Sequence, residues 1–330
     1  MTNDTLPVSI VMPTYNRLPI LQRVIAALEQ QTGLNDAFEL IVVSDGATDG
    51  TNDFLAQYNN GLCLRPIYQQ NAGPAGARNR GVQEARGEII LFLDDDVVPA
   101  PHLVRQHLWE HRQHPDERVV VIGPMLVPPD FPLSPWSHWM QGRLAEQYQS
   151  MTAGEWAPTA RQFYTGNASL ARSLFLEHGG FDPTLQRAED VELAYRMADG
   201  GVRFLFCPQA EAFHYEQRTF SSWLNIAYSY GRNDVYFYQQ KSQEWLGPVM
   251  YREYEARHPI TRFAVWACLD HKRLVTLVTD LGKQLALLGQ RFRQEMLVRL
   301  ACSTLFNLYY YQGAADELGG RAQFFAGKRR

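Results

Sequence analysis

Three adjacent aspartates, Asp94-Asp95-Asp96, are the part of this sequence best suited to chemistry. They follow the apolar run at 88–93 (EIILFL), which is typical of a buried strand. Adjacent carboxylates repel one another unless a cation or donor groups compensate. A divalent metal is the economical compensation, because carboxylate oxygens suit Mg²⁺ or Mn²⁺. Phosphate oxygens often complete the coordination shell of such a metal. Taken alone, the triplet is equally typical of a solvated acidic turn.

Two other polar segments lie near predicted strand ends. Asp45 follows the apolar run at 39–43 and could accept a hydrogen bond from a base or a ribose, although Asp-Gly is also an ordinary turn pair. The stretch at 71–81 (NAGPAGARNRG) is glycine-rich and basic. It matches neither GxGxxG nor GxxxxGK[ST], which argues against a dehydrogenase or an NTPase.

Further along the chain, Glu189 and Asp190 open a short helical pattern that ends at Gly200-Gly201. The helix dipole favours ionised carboxylates at that end, so either residue could be a general base or simply a helix cap. His214 ends a strand-like run, where a histidine is usually structural but could supply a nitrogen ligand to a metal.

The elements that must position these residues alternate between strands and helices. Continuous apolar runs at 8–12, 39–43 and 88–93 predict strands buried on both faces. Helical patterns lie between them at 18–31 and 76–86. This alternation predicts an α/β fold with a mostly parallel sheet flanked by helices, whose ligands gather beyond the carboxyl ends of the strands.

The second half of the chain has a different character. Residues 124–161 are rich in Pro and Trp and weakly periodic, which predicts a long connection or a mobile region over a site. Residues 271–311 carry leucines at helical spacing and predict one or two amphipathic helices. We therefore expect a catalytic domain at 1–240 and a helical C-terminal extension at 241–330.

Charge and cysteine usage narrow the class of protein. Residues 241–330 carry 14 Lys/Arg and 8 Asp/Glu, a net charge of +6. Since the whole chain has a net charge of −4, the first 240 residues have a net charge of −10. An acidic body argues against nucleic acid as a partner. The four cysteines are widely spaced and form no CxxC pair, which fits a reducing compartment. The N-terminus lacks a signal-peptide pattern, and no apolar stretch is long enough to span a membrane.

Seven segments taken together resemble family 2 glycosyltransferases, which are inverting enzymes with the GT-A fold. In chain order they read VSIVMPTYNR, IVVSDGATDGT, NAGPAGARNRG, GEIILFLDDDVVPAP, YTGNASLARSLFLEHGGFDP, AEDVELAYRMADGG and AFHYE. They cover roughly residues 7–216, in the order and approximate spacing of that family. Seven segments in register are far more specific than any one of them.

The resemblance implies a role for each candidate residue. Asp96 and His214 would hold Mn²⁺ or Mg²⁺, and Asp190 would be the catalytic base. The remaining candidates divide between the two substrates. The donor side would comprise Pro13, Thr14, Tyr15, Asp45, Arg78, Asp94 and Asp95, and the acceptor side would comprise Gly166, Asn167 and Glu189.

The reaction implied by the resemblance is transfer of a sugar from a nucleotide diphosphate donor to a saccharide or a lipid-linked saccharide. Ser44 stands where many members have a second aspartate, so one of the family's nucleotide contacts is not matched here. The QxxRW motif of processive synthases is absent and no membrane span is predicted, so we expect single additions. A sugar nucleotidyltransferase and a catalytically silent sugar-nucleotide-binding scaffold remain as alternatives. The expected location is the cytoplasm. The basic tail is expected to pack on the catalytic domain, with peripheral contact to the inner face of the plasma membrane as the alternative.

Overall fold

The structure is a computed structural model that describes residues 7–33, 38–115, 118–129, 131–185, 187–216 and 218–327. The chain forms two compact units, one made of Met1–Phe131 and Ala145–Glu216, the other of Pro132–Leu144 and Gln217–Arg330. The main boundary between the two compact units therefore lies near residue 216 of the sequence. The functional boundary at residue 240 stays a prediction.

The first unit is built on a seven-stranded sheet. Its strands are β1 Val8–Thr14, β2 Phe38–Asp45, β3 Cys63–Gln69, β4 Ile89–Leu93, β6 Val119–Ile122, β8 Asn167–Ala171 and β9 Arg203–Phe206. They lie in the order β3-β2-β1-β4-β8-β6-β9. Strands β1 to β4 run parallel to one another, β8 runs antiparallel to both β4 and β6, and β9 is parallel to β6. The predicted mostly parallel sheet is confirmed.

A second, three-stranded sheet lies in the same unit, in the order β5-β10-β7. Its strands are β5 Val97–Pro99, β7 Met125–Leu126 and β10 Ala212–His214. Strand β10 pairs antiparallel with β5, so that His214 lies opposite Val97. This pairing joins the chain after the aspartate run to a segment more than a hundred residues away.

The helices of the first unit connect these strands. They are α1 Leu18–Glu29, α2 Thr51–Gln57, α3 Gly73–Glu84, α4 Leu103–Gln113, α6 Arg172–Glu177 and α7 Glu189–Asp199, with a short 3₁₀ turn at Ala160–Gln162. Helix α3 lies close to the sheet because Gly81 has no side chain: a Cβ there would come within 2.4 Å of Val11. The helices predicted at 18–31 and 76–86 are therefore confirmed, with α3 beginning and ending slightly earlier.

Residues 124–161, predicted as a long connection or a mobile region, contain a helix that the sequence analysis did not predict. Helix α5 occupies Pro135–Thr152 within that span. Its sequence (PWSHWMQGRLAEQYQSMT) has no clean apolar stripe, so periodicity gave no helical signal. Pro135 stands at the first position of the helix, where proline's missing N–H costs nothing.

The second unit is helical. It contains α8 Phe220–Gln240, α9 Leu246–Ala256, α10 Pro259–Cys268, α11 Lys272–Arg291, α12 Glu295–Leu318 and α13 Arg321–Gly327. Helix α12 is the central element and packs on α8, α10 and α11. Two glycines let α8 and α12 approach closely: a Cβ on Gly231 would come within 1.8 Å of the Tyr310 carbonyl oxygen, and one on Gly313 within 2.0 Å of that of Tyr228.

Helix α11 buries the face that carries its small residues and exposes the face that carries its leucines. Its buried residues are the small ones, Thr279, Gly282, Ala286 and Gly289, whereas its leucines are exposed. Whether the basic tail packs on the catalytic domain or contacts a membrane stays a prediction. The helices predicted over 271–311 are confirmed as α11 and α12. Among the described residues, none of the helices combines the length and the hydropathy that crossing a membrane requires.

Candidate active site

The candidate residues of the first unit converge where β1 and β4 end. These strands are neighbours in the sheet, and each is followed by a polar segment, 15–17 after β1 and 94–96 after β4. Strand β2 pairs with the other side of β1, so the strand order reverses at β1. In an open α/β sheet the crevice at such a reversal is where ligands bind.

Asp95 and Asp96 share one guanidinium, that of Arg17. The Arg17 Nη1 lies 3.2 Å from Asp95 Oδ1 and also donates to Asp96 Oδ2. Both carboxylates are buried, whereas half of the Arg17 side chain is exposed. Burial raises the pKa of Asp95 to about 7, although Arg17 and Thr14 act in the opposite direction. Arg17 thus supplies part of the charge compensation for which a divalent metal was predicted.

Asp96 also lies beside His214. The His214 Nε2 is 3.5 Å from Asp96 Oδ1, and the Tyr215 N–H donates to the Asp96 carbonyl oxygen at 2.9 Å. Burial alone would raise the pKa of Asp96, but His214 and Arg17 together lower it to about 2. The pairing of β5 with β10 holds this oxygen and nitrogen side by side. Within the described ranges no group of three or more His, Cys, Asp or Glu side chains is placed to hold a metal.

Arg78 connects the aspartate run to the second acidic motif. Its Nη2 donates to Asp94 Oδ1 at 2.7 Å and its Nη1 donates to Glu189 Oε1 at 2.8 Å. The guanidinium is buried in helix α3, and the charges of Asp94 and Glu189 raise its pKa against the effect of burial. One buried cation therefore fixes the distance between β4 and the start of α7.

Asp190 is the second residue of α7. The residue is half-buried, and its Oδ1 accepts a hydrogen bond from the Val191 N–H at 2.8 Å. Burial first, and then the Glu189 charge, raise the pKa of Asp190 to about 7. The preceding Ala188 has a φ of 61°, a left-handed conformation that costs a non-glycine residue about 1–2 kcal/mol. Strain of this kind is common beside functional groups.

Asp45 binds backbone amides of its own unit. Its Oδ1 accepts from the Ala72 N–H at 2.8 Å and from Gln69 Nε2 at 2.7 Å, while its Oδ2 accepts from the Gly73 N–H at 2.9 Å. These bonds attach the end of β2 to the start of α3. Asp45 therefore has a structural role at the turn after β2. A structural turn was the alternative to nucleotide binding in the sequence analysis.

The segment after β1 is held by the loop after β2. Asn16, with a φ of 53°, accepts a hydrogen bond from the Thr48 N–H at 2.7 Å, and Asp49 accepts from the Leu18 N–H at 2.9 Å. The predicted donor residues lie along this segment: Pro13 and Thr14 end β1, and Tyr15 exposes 52% of its surface. An exposed ring beside the β1/β4 crevice is available for stacking.

Gly166 and Asn167 differ in whether a ligand at the site could contact them. Gly166 lies against Asp94, since a Cβ there would come within 3.2 Å of Asp94 Oδ2 and 2.5 Å of Met125 Sδ. Asn167 is fully buried: its Nδ2 donates to the Pro124 and Ala210 carbonyl oxygens, and its Oδ1 pairs with His107. Gly166 is therefore next to the site, whereas the polar atoms of Asn167 are used inside the fold.

Two residues at this site were missed by sequence reasoning. Arg17 was visible as the basic residue directly after β1, but only its contact with the aspartates shows its use. Tyr164 lies near Asp190, whose charge adds to burial in raising the pKa of the tyrosine. Nothing in the local sequence pattern distinguishes Tyr164 from a core tyrosine.

Comparison with known sequences gives the class of this protein. Residues 9–179 match the family model described as Glycosyl transferase family 2. This match covers more than half of the chain, and the protein belongs to that family. The seven segments quoted above and the sheet order are consistent with it.

Individual relatives agree with this membership. The chain is 32% identical over 225 residues to a validoxylamine A glucosyltransferase of Streptomyces hygroscopicus subsp. jinggangensis. The alignment covers 59% of this chain and 52% of the relative. It is 26% identical over 239 residues to the hyaluronan synthase of Pasteurella multocida, covering 63% of this chain and 24% of that one. The chain spans about half the length of the validoxylamine A glucosyltransferases it matches.

Among solved structures, a complex of S. aureus TarS residues 1–349 with UDP superposes with a TM-score of 0.55. The alignment covers 95% of this chain and 92% of that one at 16% sequence identity. This likeness concerns the fold, and with the family match it identifies the architecture as GT-A with a helical C-terminal region.

Proposed function

We propose that this protein transfers a sugar from a nucleotide diphosphate donor to a hydroxyl group of a saccharide or a lipid-linked saccharide, with inversion at the anomeric carbon. The observation that carries the proposal is the pair of ion pairs made by Arg78. Because one guanidinium contacts both Asp94 and Glu189, the aspartate run and Asp190 border the same small space. A donor held at the first and a hydroxyl held at the second would meet there.

The donor would lie along the crevice between β1 and β4. In the proposal, Pro13, Thr14 and Tyr15 face the nucleobase, and Asp94 and Asp95 face the ribose and the sugar. Asp45 and Arg78 act on the donor indirectly, since their polar atoms hold the start of α3 and the two acidic motifs in place. UDP is the first nucleotide to try, because a protein of the same fold has been solved with it.

A divalent cation fits the residues Asp96 and His214. They present one carboxylate oxygen and one imidazole nitrogen side by side, a mixed set that Mn²⁺ accepts readily, while Mg²⁺ relies more on oxygen. Two protein ligands leave most of the shell for phosphate oxygens and water. When bound, the cation would neutralise charge on the departing diphosphate. Arg17, already paired with Asp96, would share that carboxylate.

Asp190 would take the proton from the acceptor hydroxyl. A general base works best when its pKa lies near the working pH, and the raised pKa of Asp190 meets that condition. As the proton moves to the carboxylate, the acceptor oxygen forms its bond to the anomeric carbon and the bond to the diphosphate oxygen breaks. The nucleoside diphosphate leaves with the electron pair, so no covalent enzyme intermediate is needed.

The acceptor would enter beside Gly166 and Glu189. Gly166 leaves room next to Asp94 that a side chain would fill. Glu189 keeps Arg78 in position and adds negative charge next to Asp190. Asn167 supports this region from inside through its bonds to the Pro124 and Ala210 carbonyl oxygens.

We further propose that residues 1–240 form the catalytic domain and residues 241–330 an extension that does not take part in the chemistry. The described cysteines are all free, and three of the four are buried, which is consistent with a reducing location such as the cytoplasm.

A donor screen tests the proposed function. The purified protein is incubated with a panel of nucleotide diphosphate sugars and Mn²⁺, and release of nucleoside diphosphate is followed with and without candidate acceptors. We expect slow release from one donor, which stops with chelator and with Asp96→Ala. Tight donor binding without any release or transfer would favour a silent binding protein instead. Equal donor affinity with and without chelator would overturn the metal assignment.

A further inference from the structure

The second unit carries an exposed apolar stripe along helix α11. Leu277 and Leu281 expose 55% and 56% of their surface, and Leu274, Leu285 and Leu288 are also exposed. Their spacing of three or four residues places them on one side of the helix. We define the leucine stripe as these five residues. The stripe continues past the end of α11 into Phe292, which is also exposed.

Small residues explain why the leucines face away from the core. Gly282 lies against Leu305 and Gly289 against Val298, at distances that leave no room for a side chain. Helix α11 is thus fixed on α12 through its glycine and alanine face. Turning the leucines inward would lose this close packing, so the exposure of the stripe is built into the fold.

Other large apolar side chains of the same unit are exposed as well. On the neighbouring helix α10, Phe263 and Trp266 expose 66% and 53% of their surface and contact each other at a ring distance of 5.9 Å. Met296, at the start of α12, is more exposed still. A monomeric soluble protein seldom leaves so much apolar surface uncovered unless something binds it.

The charges around the stripe indicate what binds. Residues 258–299 contain seven Lys or Arg and three Asp or Glu. On α11, Arg273 and Arg291 are exposed and lie on the polar side next to the stripe, with one acidic residue, Asp280, between them. Leucine and aromatic side chains on one face, bordered by basic residues, are the pattern of a helix that lies in the headgroup region of an anionic bilayer.

A second copy of the chain is the main competing occupant, because the stripe also has coiled-coil spacing. Leu274, Leu281 and Leu288 lie seven residues apart. The open flank of the stripe carries Arg273, Asp280 and Arg291, so it has two basic residues and one acidic residue. The same face of a second copy would also be net positive, whereas an anionic surface would attract it. Charge complementarity therefore favours an anionic surface.

We propose that helix α11 docks on anionic lipid membranes, with the leucine stripe entering the acyl boundary and Arg273 and Arg291 contacting lipid headgroups. In this arrangement none of the described helices crosses the bilayer. The proposal goes beyond the glycosyl transfer described above and needs neither donor nor acceptor to be tested.

Vesicle co-sedimentation of the full chain tests the docking. The probes are phosphatidylcholine vesicles with and without phosphatidylglycerol, at low and at high salt. We expect binding to the anionic vesicles only, weakened by salt. The double variant Arg273→Gln/Arg291→Gln should bind about 25-fold more weakly, from about fivefold for each basic residue. Leu277→Gln/Leu281→Gln should bind at least about tenfold more weakly.

Thr276→Ala is the matched control, since Thr276 is an exposed polar residue of the same helix. It should bind vesicles like the wild type. Circular dichroism melts show whether each variant is folded, and the leucine variants should be no less stable because the stripe is exposed. The proposal is overturned if the folded wild type ignores anionic vesicles. It is also overturned if sedimentation equilibrium without lipid shows a dimer that Leu277→Gln/Leu281→Gln dissociates.

Discussion

Replacing Asp190 by Asn separates a catalytic base from a structural cap, because the two roles predict opposite outcomes. Asn keeps the size of the side chain and an oxygen that can accept the hydrogen bond from the Val191 N–H. It cannot take a proton from an acceptor hydroxyl. We expect transfer to fall by about 10²- to 10⁴-fold, the usual contribution of general-base catalysis.

The same substitution should stabilise the protein at neutral and higher pH. The pKa of Asp190 is raised from 3.8 to about 7, so the folded protein favours the protonated form. The stability from this preference is complete below pH 4 and is lost as the pH rises to about 7. A pKa raised this far corresponds to about 4 kcal/mol of unfolding free energy, and solvent contact of the half-buried carboxylate reduces this to about 2 kcal/mol. Asn does not titrate and avoids the loss.

The assay pairs steady-state transfer with urea unfolding at pH 5 and above pH 8. Asp199→Asn is the matched control, because Asp199 is an exposed aspartate at the far end of the same helix. The control should keep its activity and show the wild-type pH dependence of stability. Near wild-type transfer by Asp190→Asn at saturating acceptor would refute its role as the base. A stability change that is equal at both pH values would refute the assigned pKa.

Three further outcomes follow from the geometry. Transfer by the wild type should rise with pH up to about 7 and then level, as the raised pKa of Asp190 requires, and a pH–rate profile checks this. Arg78→Met should lower the free energy of unfolding by about 3–5 kcal/mol, because Asp94 and Glu189 lose a shared buried partner; a urea melt no different from wild type would contradict it. Gly231→Ala should lower it by at least about 1–3 kcal/mol, because the added Cβ meets the Tyr310 carbonyl oxygen, whereas the partly buried Ser229→Ala should change it by less.

The sequence was most informative about the parallel half of the sheet. Strands such as 8–12 and 39–43 are continuous apolar runs because both faces are buried, and their polar ends mark the site. The antiparallel β8 (NASLA) is as long as β4 but is not a continuous apolar run, and β5, β7 and β10 are too short for a periodic signal. The contact between Asp96 and His214 depends on the pairing of β5 with β10, which no local pattern reveals.

The candidate site was predicted in its residue types but not in its electrostatics. The aspartate triplet suggested a metal because repulsion had to be balanced, and the structure shows Arg17 and Arg78 sharing that task. Both arginines stand far from the aspartates in sequence. Asp45 shows the same limit, since its bonds to the Ala72 and Gly73 amides depend on how α3 approaches β2.

Helix α11 shows where an amphipathic pattern can mislead. Leucines at helical spacing predict a buried stripe, yet Gly282 and Gly289 on the other side permit closer packing on α12. Small residues contribute little to a hydrophobic pattern even when they make the tightest interface. The direction in which such a helix faces is therefore set by its neighbour and not by its own periodicity.

The anomeric configuration of the product tests the central proposal most directly. With the donor found by the screen, the product of the wild-type reaction is isolated and its anomeric proton coupling is measured by NMR. Direct displacement assisted by Asp190 predicts the configuration opposite to that of the donor sugar. Retention of the donor's configuration would contradict single displacement at this site, and with it the role of Asp190 as the only base the reaction needs.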